Sequence, residues 1–197
     1  MTSLWHSDDP ARWRAALADY DATIERQGVA SLPEHDRWYQ TELPAAIAAR
    51  ATPHVTHDEL VRLTEWKMTR GVWRARNLVL VRGNAPALVR ETSQAALAAA
   101  PHPTLPIKRL AELAGVGPAT ASAAAAAAFP DVYPFFDELV FAQIPDVAGP
   151  VKFSLGEYAR YAEALRERAA SLGGGWTPAM AERALWAHVG GKVGLTR

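Results

Sequence analysis

The sequence predicts an all-α fold, a single helical globular unit over residues 1–197, from three observations. Alanine, the strongest helix former because it gives up no side-chain entropy on ordering, supplies 40 of the 197 residues. Apolar residues recur at three- and four-residue spacing, whereas β-branched runs are short and seldom alternate with polar residues. Seven Trp provide the bulk that so many small side chains lack. A chain of this length buries a sizeable core without covalent staples.

The elements follow in order. Asp9-Pro10 places an N-cap carboxylate before a proline at the first helical position, and Trp13, Leu17, Tyr20 and Ile24 carry one amphipathic run to Gly28. Pro33 opens a second stretch bearing Trp38, which Pro44 restarts or kinks before Ile47. Thr56-His57-Asp58-Glu59 is a capping box for a helix carrying Leu60, Leu63 and Trp66. Arg70-Gly71 breaks or ends that helix, and residues 72–81 form another short one. Asn84 and Pro86 begin a segment that runs through Leu97 to Pro101. Residues 101–106 are a stiff proline-rich connector.

Beyond the connector, a short helix at 107–113, a tight turn at 114–117 and a second helix at 118–128 form a helix-hairpin-helix pattern across 107–128. Pro130 and Pro134 impose a loop that ends at Phe135-Phe136-Asp137-Glu138. A charged helix occupies 158–171 before Gly173-Gly174-Gly175, and Thr177-Pro178 starts the last, 179–189, which Gly190-Gly191 terminates. The C-terminal helices, 156–190, are expected to pack with the N-terminal ones.

Charge and composition bound the function. Zero cysteines exclude a disulfide scaffold, a cysteine nucleophile, a thiolate zinc site and a cysteine-held iron–sulfur cluster. The 21 basic and 21 acidic residues balance, but not locally. Residues 62–90 hold Arg62, Lys67, Arg70, Arg74, Arg76, Arg82 and Arg90 against one acid, Glu65. Within the basic helical region 57–90, Lys67, Arg70 and Arg74 share a face if the helix continues through Gly71. Interleaved with Trp66 and Trp73, they make a candidate phosphate-tracking surface with stacking platforms; a solvated cationic face is the simpler account. The six histidines show no metal-ligand spacing, so no side-chain metal site is expected. The N-terminus lacks a basic-then-apolar leader and no apolar run approaches membrane-spanning length. A cytoplasmic monomer without membrane contact is the expectation.

The richest segment is Leu110-Ala-Glu-Leu-Ala-Gly-Val-Gly-Pro-Ala-Thr-Ala121. Two glycines between helices permit close backbone approach, and the second helix begins with unpaired N–H groups beside its positive dipole end. A phosphate oxygen fits there, through the backbone of Gly115, Val116, Gly117, Ala119 and Thr120. The string resembles the helix-hairpin-helix of the DNA glycosylases related to endonuclease III and the alkyladenine glycosylases. In that family the hairpin reads Leu-Pro-Gly-Val/Ile-Gly, two residues, then Thr-Ala. The resemblance covers 107–140, extends to 176–194 through Leu185-Trp-Ala-His-Val-Gly190, and implies a two-lobed helical architecture.

It further implies a catalytic aspartate a little over twenty residues past Gly115, which is Asp137, with Glu138 as auxiliary. A carboxylate there stabilises the oxocarbenium-like sugar formed as a damaged base leaves. The local alternative is that Asp137 caps a helix starting at Glu138, and one residue can do both. Bifunctional members carry a lysine four residues past the first hairpin glycine, where this chain has Ala119. No Schiff-base lyase step is therefore expected. The family's Gln-rich wedge helix has no counterpart, Glu65 to Arg74 standing in its place. Phe136 and Trp66 are the candidate stacking residues for an extruded base. A monovalent cation at the hairpin backbone is the one cofactor the resemblance allows. The expectation is a monofunctional glycosylase of duplex DNA acting on a damaged, alkylated base; the alternative is a non-catalytic DNA-binding relative. The enzyme reading requires Asp137 to face a cleft, with Phe136 or Trp66 lining it and the hairpin amides on the same side.

Overall fold

A computed structural model describes residues 3–145, 147 and 150–192, so residues 193 and 194 of the C-terminal resemblance lie outside it. Among the described residues every regular element is helical. Local chemistry accounts for most helix starts. Asp9 caps α1 (Pro10–Ala18) through the Ala11 amide at 2.9 Å. Thr56 and Glu59 close both halves of the capping box of α5 (His57–Arg70). Thr177 caps the Met180 amide at the start of α12 (Pro178–His188).

Three places depart from the sequence pattern. The run expected from Trp13 to Ile24 breaks at Asp19, separating α1 from α2 (Tyr20–Arg26). Asp19 gathers its own local network there: Thr23 Oγ1 donates to its carbonyl at 2.8 Å, and Arg26 pairs with its carboxylate at 2.6 Å. After α3 (Leu32–Arg37), five residues, Trp38–Glu42, form a π turn that leads into α4 (Leu43–Ala48). Pro44 has no N–H to give, and the wider turn upstream absorbs the missing bond. The helix expected at 107–113 is instead α8 (Leu105–Leu110), with Pro106 in its first turn.

The remaining elements are α6 (Ala75–Arg82), α7 (Pro86–Leu97), α9 (Pro118–Ala128), α10 (Glu138–Phe141) and α11 (Leu155–Leu172). The α11 helix starts with a second capping box, Ser154 with Glu157, that the pattern reading missed. Helix α9 lies at the centre, and Ala123, Ala124 and Ala125 are fully buried. Its small side chains let α4, α5 and α8 approach closely. Trp13, Trp66 and Trp186 fill the space between other helices and are also fully buried. Helix α12 packs against α1, α2, α10 and α11, which joins the C-terminal helices to the N-terminal ones. One continuous apolar cluster runs from Leu4 to Ala187. No helix among the described residues is long and apolar enough to cross a membrane.

Candidate functional site

A cavity of about 240 Å³ opens where α5, the turn before α9 and the loop before α10 meet. Its floor and walls include Asp137, Glu138, Phe135 and Phe136 from the loop, and Gly117 to Thr120 from the start of α9. Lys67, Gly71, Val72 and Arg74 from the end of α5 and the segment after it, with Asn77 and Phe153, complete the lining.

The loop that presents Asp137 is pinned residue by residue. The Tyr158 hydroxyl donates to the Pro134 carbonyl at 3.4 Å, and the Tyr161 hydroxyl to the Phe135 carbonyl at 2.7 Å. The Phe136 amide donates to Ser122 Oγ of α9 at 2.9 Å. Asp137 then caps α10, its Oδ1 accepting from the Leu139 amide at 2.8 Å and the Val140 amide at 3.3 Å. Capping consumes one carboxylate oxygen and leaves Oδ2, which faces Arg70 Nε at 3.9 Å, beyond hydrogen-bond range. Asp137 is therefore both helix cap and cleft residue, at 7% exposure. Glu138 lies beside it, half-buried.

The turn between α8 and α9 is held by α6 and Asn84. Gly115 adopts φ +77°, and the backbone of Asn77 and Val81 occupies the space a Cβ would need. Asn84 clamps the turn, donating from Nδ2 to the Ala114 carbonyl at 2.9 Å and accepting the Ala114 amide at 3.0 Å. The expected role of Val116 needs correction, because its amide donates to the Leu113 carbonyl at 3.1 Å and its side chain is buried. Gly117 is extended (φ −94°, ψ 176°) and caps α9 without a side chain, and the helix's own ladder begins with Ala121 N to Gly117 O at 2.9 Å. Ala119 and Thr120 have buried side chains, so what they offer the cavity is backbone.

The basic stretch divides into four fates: Arg70 is buried, Arg62 and Arg82 are paired, Lys67 is half-buried, and Arg74, Arg76 and Arg90 are exposed. Helix α5 ends at Arg70, so Lys67, Arg70 and Arg74 do not form one helical face. Arg70 is not a surface residue at all. It is 2% exposed, gives Nη2 to Glu182 Oε1 at 2.5 Å, and lies under the Trp186 and Phe135 rings at 4.5 and 5.0 Å. Burial opposes its charge, but Glu182 and the other acids around it outweigh that and hold the guanidinium above its ordinary value. Arg62 and Arg82 pair with Glu34 and Glu65. Arg74, at the cleft rim, and Arg76 are exposed, and neighbouring Trp73 is 55% exposed. Lys67 is half-buried. Burial first, and Arg74 second, push its ammonium below the usual value, while Glu138 and Asp137 pull it back.

Of the two expected stacking residues, Phe136, although fully buried against Phe153 at 5.2 Å and Tyr161 at 5.1 Å, borders the cavity. Trp66 does not. It is sealed in the core, stacked on Tyr39 at 3.6 Å, with its Nε1 donating to Asp36 Oδ1 at 2.8 Å. Asp36 also accepts the Tyr20 hydroxyl at 2.8 Å, and burial raises its carboxyl. Sequence reasoning missed Asn77, Phe153 and Glu182. Phe153 alone carried a local signal, as an aromatic ahead of the Ser154 cap; among the described residues it is the one non-glycine at positive φ, 54°. Glu182 reads in the sequence as an ordinary helix-surface acid.

A larger surface groove, about 830 Å³, runs beside α2 and α3, but the acids Asp21, Glu25, Glu34 and Asp36 outnumber the arginines Arg37 and Arg183 along it, a balance that disfavours polyanions. Among the described residues no three His, Asp or Glu side chains cluster as metal ligands. Comparison of the chain with protein-family models, curated proteins and solved structures finds no match.

Proposed function

We propose that the chain is a DNA-repair glycosylase-like enzyme that hydrolyses the N-glycosidic bond of a damaged base in duplex DNA, without lyase chemistry. The observation that carries this reading is the shared cavity: Asp137, the start of α9, and the cations Lys67 and Arg74 line one space. In this reading the segment 107–128 serves as a helix-hairpin-helix grip. The phosphate of the target nucleotide rests against the α9 amides, with Arg74 and Arg76 on the flanking backbone. The sugar then lies over Asp137 Oδ2. As the base departs, that carboxylate stabilises the positive charge growing on the sugar and orients the attacking water. Phe136 forms part of the wall for an extruded base. At about 240 Å³ the cavity is smaller than the roughly 300–1,000 Å³ of drug-sized ligand sites, the scale of a single nucleobase.

Alkylated purines are the first substrate class, since a cationic base leaves without strong acid catalysis. A second reading, a non-catalytic DNA-binding protein, draws support from Trp66, whose burial removes one stacking platform from the cleft. Duplexes carrying alkylated, uracil-containing and oxidised bases, incubated with the purified protein, separate the two. Base release by the wild type and its loss in Asp137→Asn are expected. Release that survives Asp137→Asn removes Asp137 from the reaction. No release from any duplex, with salt-dependent binding retained, leaves the binding reading in its place.

A further inference from the structure

Beneath the cleft lies a charge cluster that hydrolysis at Asp137 does not by itself require. Arg70 and Glu182 are each 2% exposed, and they meet across α5 and α12. The guanidinium gives Nη2 to Glu182 at 2.5 Å and turns Nε toward Asp137 Oδ2 at 3.9 Å. Among the described residues neither Nε nor Nη1 has a hydrogen-bond partner. One cation thus serves two carboxylates, of which Asp137 lines the cleft and Glu182 does not. Glu182 lines a separate cavity of about 160 Å³ with Tyr39, Gln40 and Arg183, and Phe135 forms part of the wall of both spaces.

We propose that Glu182 is a positioning residue for the cleft, one whose charge decides how much of the Arg70 field falls on Asp137. The proposal rests on the reading of Asp137 as the carboxylate that stabilises the sugar. With Glu182 ionised, Arg70 and Glu182 form a neutral pair, and the Asp137 charge faces the cleft uncompensated. With Glu182 protonated, an unbalanced guanidinium stands 3.9 Å from Asp137 and opposes the positive charge that must grow on the sugar.

The surroundings set where this exchange occurs. Burial pushes Glu182 up to about 7, against the pull of Arg70, and Asp137 pushes it in the same direction as burial. Arg70 faces it from α5, Asp137 from the loop before α10, and Arg183 from its own helix. Tyr20 of α2, Tyr39 of the π turn and Tyr161 of α11 also face it, and burial holds all three hydroxyls above their ordinary values. Asp36 of α3 acts on the same guanidinium from below. The second cavity borders Glu182 on a side the cleft does not reach.

The test is the single-turnover pH profile of base release from an alkylated-purine duplex, for the wild type and Glu182→Gln. Glutamine keeps an acceptor for Arg70 and removes the charge. The wild-type rate should rise through about pH 7. Glu182→Gln should be slower by about tenfold above that pH, the inflection should vanish, and duplex affinity should be unchanged. A structural role alone lowers the rate in parallel at every pH and leaves the inflection in place, which overturns the proposal. If Glu182→Gln fails to fold, the Glu182 carboxyl carbon resonance of the wild type decides: titration near neutrality supports the proposal, and ionisation complete by pH 5 overturns it. No base release by the wild type overturns the functional reading, and this proposal with it. Release with an unaltered profile in Glu182→Gln overturns this proposal alone.

Discussion

Replacing Gly115 and Gly117 by alanine, one at a time, separates structural necessity from open space within a single turn. At Gly115 a Cβ would lie 2.5 Å from the Asn77 carbonyl oxygen and 2.9 Å from both Leu80 Cβ and the Val81 amide nitrogen. Two of those atoms are backbone of α6 and cannot swing aside. The residue also sits at φ +77°, where an alanine carries a penalty of about 1–2 kcal/mol. Overpacking against fixed atoms adds about 1–3 kcal/mol. Gly115→Ala should therefore lower stability by roughly 2–5 kcal/mol, and for a domain of this size Tm by roughly 5–15 °C. At Gly117 the backbone is extended and, among the described residues, no atom beyond its chain neighbours lies within 4 Å of an added Cβ, so the unfolded-state gain of Gly117→Ala is offset by alanine's poorer N-cap and stability should change by no more than about 1 kcal/mol. Urea unfolding followed by Trp fluorescence measures both. Because Gly117 lines the cleft, its methyl should weaken duplex binding while the fold stays intact. Equal stability losses at the two positions, or a loss below about 1 kcal/mol at Gly115, would refute the reasoning.

Asp137→Ala removes the α10 cap and should lower stability by about 1–2 kcal/mol, whereas Asp137→Asn keeps an acceptor and should lose less, as urea titrations of the pair would show. Charge reversal at Arg74 and Arg76, both exposed, should move stability by no more than about 0.5 kcal/mol. The same change should weaken duplex binding and flatten its salt dependence; an unchanged slope in a fluorescence-anisotropy titration rejects phosphate contact by this face. Glu182 also predicts a stability slope. Its folded value, about 7, lies above the ordinary 4.5, so the native state holds the extra proton between those limits. Its contribution is present in full below about pH 4.5 and is lost as pH rises through 7, and Glu182→Gln should remove that slope.

Features set by near neighbours in the chain could be read directly from it. Helix starts at Asp9-Pro10, Thr56 and Thr177-Pro178 were legible because capping is settled by a side chain and an amide two or three residues away. The capping function of Asp137 was legible for the same reason. The break at Asp19 was not, since the apolar spacing runs through it and a local network decides it; at Pro44 the helix restart was legible, and only the π form of the turn before it was not. Tertiary structure alone separated Arg70 from Lys67. Both are basic residues on the last turn of α5, yet one is buried against Glu182, 112 positions away, and the other enters the cleft. It likewise took Trp66 into the core and left Trp73 outside, although both stand among the same cations. Charge and ring are written in the chain, but which of them is desolvated depends on what packs over it, α12 over Arg70, and Tyr39 with the loop before α10 over Trp66. That packing, through burial and the charges it brings together, turns a helix cap and an ordinary glutamate into one electrostatic unit beneath the cleft.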